Sequence, residues 1–202
     1  MVLGFQTNLS SLSSSGSGDS NENHGLGVGE PIIKDDTLKL HKVIDGLDFP
    51  TSMAFLGPDD ILVLEKNKGT VQRIVNGKML EVPVLDANVS NYVERGMLGI
   101  AVKNEYTTNN DHENNNASSP TPTYVYLYYT ESPADKNSLG NNGTKHDCTV
   151  CIPIGHRLYK YELKNNTLIQ PKLLLDLPAN PGTYGASHIG GVLVVGPDKN
   201  IY

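Results

Sequence analysis

Ala54-Phe55-Leu56-Gly57-Pro58-Asp59-Asp60-Ile61-Leu62 reads as an apolar strand, a Gly-Pro-Asp turn and a second apolar strand. The same pattern returns as Val194-Val195-Gly196-Pro197-Asp198-Lys199-Asn200-Ile201-Tyr202. Proline presets φ for the turn, and Asp favours it through hydrogen bonds to its own backbone. A whole set of further strands lies between the two copies. A strand-turn-strand unit that recurs with strands between is the mark of a repeated β-meander, and a β-propeller is built from such meanders.

The flanks of the first copy extend the meander. Leu38 to Val43 alternates like a strand, and Ser52 to Leu56 is the next. Ile61 to Glu65 follows the Gly-Pro-Asp turn, and Asn67-Lys68-Gly69 turns the chain into Thr70 to Val75. Asn76-Gly77 then predicts a hairpin, because both central positions of a tight hairpin turn favour positive φ. A second set follows: Gly96 to Val102, Tyr124 to Thr130, Arg157 to Leu163, a turn at Asn165-Asn166, Thr167 to Ile169, and Lys172 to Asp176. The tyrosines of Tyr124 to Tyr129 fit core and cross-strand packing better than a sugar-stacking surface. Polar inserts at 109–122 and 132–153 interrupt this set and are expected at the surface. Residues 1–37 are expected to be a disordered leader rich in Ser, Gly and Asn.

The predicted fold is all-β: four-stranded antiparallel blades, about two of them plus the start of a third, over residues 38–202. Closed propellers have ~4–8 blades, so the chain is expected to be the N-terminal part of a larger ring.

Composition narrows the function. The 202 residues include 16 Lys plus Arg and 22 Asp plus Glu, a formal charge of −6. That balance argues against nucleic acid as the main partner, which needs a basic face. No run approaches the ~18 apolar residues of a membrane-spanning helix. Two cysteines are too few for a disulfide scaffold. Sequons at Asn8, Asn88, Asn116, Asn142 and Asn165 point to an extracytoplasmic setting, although no signal peptide is visible. His146, Cys148, Cys151 and His156 contain enough thiolates and imidazoles for tetrahedral zinc or for copper. Their place in a Gly- and Asn-rich insert fits a local disulfide or free thiols instead, and the reading adopted is no metal site. Asn109 to Asn116 lacks the order of ligands that a formed calcium loop requires.

Three segments carry a family resemblance. Gly46-Leu47-Asp48-Phe49-Pro50-Thr51-Ser52-Met53-Ala54-Phe55-Leu56 resembles the opening of the soluble quinoprotein glucose/sorbosone dehydrogenases, a family that includes the aldose sugar dehydrogenases. Glu94-Arg95-Gly96-Met97-Leu98-Gly99-Ile100-Ala101 resembles its second-blade motif, and His188-Ile189-Gly190-Gly191-Val192-Leu193-Val194-Val195-Gly196-Pro197-Asp198 its active-site segment. The resemblance implies a six-bladed propeller that binds pyrroloquinoline quinone (PQQ) and calcium on its axis and oxidises a sugar, passing electrons to an acceptor. It makes His188 the general base, a role that suits an imidazole titrating near neutral pH. It places Glu94 near the quinone. Gly190 and Gly191 would let the backbone run close to a flat cofactor. The arginines, Asn, Lys and calcium-ligating carbonyls of the family belong to later blades, beyond residue 202. Ile189 departs from the Asn or Gln that the family often carries after this His. The chain alone is therefore expected to be inactive, and a propeller that kept the scaffold as a non-catalytic binding module is the alternative.

Overall fold

A computed structural model describes residues 2–7, 33–35, 37–104, 122–133, 149, 151–180 and 186–202. The strands in chain order are β1 (Val2–Thr7), β2 (Leu38–Ile44), β3 (Pro50–Gly57), β4 (Asp60–Glu65), β5 (Thr70–Val75), β6 (Lys78–Met79), β7 (Leu85–Asp86), β8 (Met97–Asn104), β9 (Thr123–Glu131), β10 (Gly155–Lys164) and β11 (Thr167–Leu177). The chain forms two compact units, residues 1–46 and 47–202. In the first, β1 and β2 make an antiparallel pair. Residues 8–32 of the expected leader lie outside the described residues.

The second unit holds two antiparallel sheets. One runs β3-β4-β5-β6, with β7 also on β5; the other runs β11-β10-β9-β8. Both are meanders, as the turn signals predict. Asn76 (φ 50°) and Gly77 (φ 73°) close β5 onto β6, and Asn165 (φ 49°) and Asn166 (φ 60°) close β10 onto β11. Two successive positive-φ residues match the right-handed twist of the strands they join. The fourth place in the first sheet is divided. β6 pairs with Ile74 and Val75, and β7 pairs with Thr70 and Val71. Pro83 has no amide proton to donate to a continuous ladder, and it sits between the two halves.

Thr167–Ile169 and Lys172–Asp176, two runs in the sequence, form one strand, with Gln170 at φ 53° where the register shifts. The strand is largely exposed, including Leu173, Leu174, Leu175 and Leu177. The second copy of the repeat is a tight hairpin rather than two full strands: Val195 and Ile201 form an antiparallel bridge, and Val194 and Tyr202 exchange both backbone hydrogen bonds at 2.9 Å.

The core lies between the sheets. Leu62, Leu64 and Val71 meet Ile100, Val125 and Leu127, all at most 3 % exposed. Each such side chain contributes about 1.5–3 kcal/mol through removal from water. Polar contacts pin the same junction. The Leu168 amide donates to the Val84 carbonyl at 2.8 Å, and Arg73, paired through two nitrogens with Asp60, also donates to Asn166. The sheets meet at their first strands as well, where Thr51 Oγ1 of β3 donates to the Met97 carbonyl of β8 at 2.8 Å.

Glu65, 1 % exposed, ends β4 with a carboxylate inside the protein. It accepts hydrogen bonds from the Asp48 amide (2.7 Å), Thr70 Oγ1 (2.6 Å) and Gln72 Nε2 (2.8 Å). Burial alone would raise its pKa. Donation from Gln72, Thr70 and the Asp48 amide, with the charge of Lys68, outweighs burial and holds it below the usual carboxylate value. A depressed folded-state pKa stabilises the fold above the unfolded-state value, and that stability is lost as pH falls through the lowered one. Glu65→Gln is expected to cost about 1–3 kcal/mol at pH 7, because the new amide sets an NH2 against donors that the two carboxylate oxygens now accept. Thermal melts between pH 7 and pH 3 check this: the variant's Tm should fall less steeply with acid than that of the parent.

Candidate active site

A bulge in β8 builds the site's floor. Met97 pairs with Tyr129 and Gly99 with Tyr128, so Leu98 is the extra residue. Bulges re-aim a strand and are over-represented beside active sites. Residues 186–193 lie against this point. A side chain at Gly99 would overlap the Gly191 carbonyl oxygen, and one at Gly191 (φ 140°) would come within 2.8 Å of Leu98 Cβ. The close approach of the two backbones thus requires glycine on both sides. First strands consequently stand side by side: β3 beside β8, and β8 beside the segment that starts at His188.

Two neighbours fix that segment from the chain just before β8. The Glu94 amide donates to the Ala186 carbonyl at 3.2 Å, and the Glu94 carboxylate accepts the His188 amide through Oε2. Arg95, 2 % exposed, sends its guanidinium to the Asn180 carbonyl. The Glu94-Arg95 pair is therefore divided by burial, with the carboxylate exposed and the guanidinium inside. From β9, the Tyr128 hydroxyl donates to the Ile189 carbonyl at 3.0 Å. Burial raises the pKa of this phenol, which keeps it a donor.

His188 has φ 61°, a left-handed conformation uncommon outside glycine but several-fold enriched in Asn, Asp and His. Its side chain is exposed. Gly190 has φ 80°, and a side chain built there would meet nothing within 4 Å. The structure brings His188, Glu94, Gly190 and Gly191 together, each with a distinct place. His188 and Glu94 share a hydrogen bond, Gly191 packs on β8, and Gly190 borders open space. At position 189 the carbonyl accepts a hydrogen bond from Tyr128, while the side chain is apolar where the family often carries Asn or Gln.

Among the described residues, no group of three or more His, Cys, Asp or Glu side chains gathers to hold an ion. His146 and Cys148 lie outside the described residues, as do the calcium-like run 109–116 and most of the second insert. His156 is buried in β10, with Nδ1 2.9 Å from Thr130 Oγ1. Burial, and after it the positive charge of Arg95, lower its pKa. Tyr126, Tyr128 and Tyr129 are buried, at 9 % exposure or less, as the packing reading of that strand expects.

Three residues of the site went unread in the sequence: Tyr128, Arg95 and Gly99. The available signal was β9 itself. Val125 to Thr130 is buried on both faces, so its second face must be covered by something beyond the core.

Comparison with known proteins agrees with this architecture. The family described as Glucose / Sorbosone dehydrogenase matches residues 47–202. No curated protein matches the chain. Among solved structures, the chain is similar to the PQQ-bound form of aldose sugar dehydrogenase from Streptomyces coelicolor, with a TM-score of 0.54 and 22 % identity over 80 % of this chain. It is also similar to a glucose dehydrogenase, with a TM-score of 0.53 and 19 % identity over 80 % of this chain. The chain spans 39 % and 38 % of those two proteins. At such identities the likeness establishes the fold: two antiparallel sheets that match part of a β-propeller. With a family match running from Leu47 to Tyr202, the chain belongs to the glucose/sorbosone dehydrogenase family.

Proposed function

We propose that this chain supplies the base-bearing part of a PQQ-dependent sugar dehydrogenase. The observation that carries the reading is the exposed His188, whose backbone is tied to the Glu94 carboxylate beside open space over Gly190. These residues fit a flat cofactor: the space over Gly190 lets a planar ring approach the backbone, two residues from the exposed His188. PQQ, when bound, supplies the acceptor for a hydride from the sugar carbon. An unprotonated ring nitrogen of His188 takes the proton of the sugar hydroxyl as its C–O bond becomes a carbonyl. Carbon is oxidised by two electrons, and the proton rests on the imidazole until it is released to solvent. Proton transfer by a positioned base of this kind contributes about 10²–10⁴-fold to rate. Glu94 holds the His188 peptide in place through Oε2. Calcium enters the proposal through the resemblance, with ligands from later blades, and the five sequons support an extracytoplasmic setting.

The 202-residue chain by itself should not reduce a dye when given an aldose and PQQ, because the groups that hold the quinone in the family belong to later blades. A protein that joins this chain to a complete ring should do so. The experiment compares the two directly. Turnover by the short chain would reject the division of labour. A complete ring that binds PQQ but oxidises none of a panel of aldoses would favour the binding-module alternative.

A further inference from the structure

We infer that Tyr128 is a positioning residue for His188, acting through the carbonyl of Ile189. The inference rests on the proposed role of His188 as base. It stands on three features of one sheet face. Tyr128 and Gly99 are directly paired across β9 and β8, so their side-chain directions share a face. Gly99 has no side chain, and the Gly191 carbonyl occupies the gap. The Tyr128 hydroxyl, on the same face, donates to the Ile189 carbonyl at 3.0 Å. The Ile189–Gly190 peptide, one residue beyond His188, is thereby anchored by Tyr128, while the His188 amide is held by Glu94.

The two anchors bracket a left-handed residue: one holds the peptide that precedes His188, the other the peptide between Ile189 and Gly190. With φ 61°, His188 stays in place only while its surroundings over-determine it. If the hydroxyl is lost, the Ile189 carbonyl can rotate toward solvent and the imidazole no longer keeps one direction. The phenyl ring would still fill its place in β9, so the effect separates from packing. Tyr129 supplies the comparison. It is the next residue of the same strand and is buried, but its hydroxyl meets Tyr161 at 3.1 Å, away from residues 186–191.

The test uses Tyr128→Phe and Tyr129→Phe in the 202-residue chain, followed by amide hydrogen exchange at His188 and the NMR signals of its imidazole. Loss of one hydrogen bond should speed exchange at His188 about tenfold in Tyr128→Phe and shift the imidazole signals. Tyr129→Phe should leave both within about twofold of the parent, even where its melting temperature falls. A second readout comes from a quinone-loaded complete ring that contains this chain. There, Tyr128→Phe should lower kcat about tenfold with KM for the sugar within about twofold. Unchanged exchange at His188 in Tyr128→Phe, or equal acceleration in Tyr129→Phe, would overturn the inference. If the exchange result holds but the unmutated ring oxidises no sugar, the functional proposal fails while the positioning role stands.

Discussion

Replacing His188 with alanine in a complete, quinone-loaded ring is expected to lower sugar oxidation by about 10²–10⁴-fold, the usual worth of a positioned base. The fold should remain intact, because the side chain is exposed and no core contact depends on it. His188→Asn is the sharper companion. Asparagine accepts a positive φ readily, so it keeps the backbone at 188 while removing the titrating nitrogen. Stopped-flow measurement of quinone reduction, with Tm as the control for folding, reads both. Near-normal rates in either variant would remove His188 from the chemistry. A loss of rate together with a collapse in Tm would assign the residue to structure.

Gly99→Ala is expected to be the most disruptive single methyl in the second sheet. The new carbon would overlap the Gly191 carbonyl oxygen, a backbone atom that can yield only if residues 188–193 lift away. Overpacking of this kind costs about 1–3 kcal/mol. Because the displaced segment carries the proposed base, activity should fall further than stability does. A calorimetric scan and a rate measurement on the same preparation would show it. An alanine variant with unaltered melting and rate would mean that the two backbones are not in close contact.

Much of the β scaffold is written locally in the chain. Gly57-Pro58, Asn76-Gly77 and Asn165-Asn166 each force a reversal, and the apolar runs between them become β3, β4, β5, β10 and β11. Local patterns cannot reveal features that arise between segments. The Leu98 bulge depends on which residue of β9 meets which of β8, and nothing in Met97-Leu98-Gly99 alone specifies that register. Glu65 looks like a solvated strand end until Thr70, Gln72 and the Asp48 amide converge on it. Arg95 reads as a surface charge, yet the carbonyl of Asn180, far along the chain, draws it inside. The division of β6 from β7 follows from Pro83 and from the return of Val84 to Val71, a contact that no period-two pattern announces.

The site was legible chiefly through resemblance. His188 beside two glycines has no periodicity of its own, and chemistry alone gives no reason to prefer it to His41 or His156. What the structure adds is the physical reason for each neighbour. Gly191 serves the packing of two backbones, Gly190 leaves room, and Glu94 binds the peptide of the histidine. A polar residue close to the quinone and a carboxylate that buttresses the base are different assignments for Glu94. The hydrogen bond from the His188 amide favours the second, while its other oxygen remains available to the first.

The outer margin of the second sheet carries its own consequence. Among the described residues, β11 exposes a row of leucines along a strand whose far side is unpaired in its sheet, and such a border invites edge-to-edge aggregation. Pro171 and Lys172 precede the row, and Asp176, engaged by Arg157, interrupts it. Substitutions on this rim would therefore tune association of the 202-residue chain without touching the residues around His188.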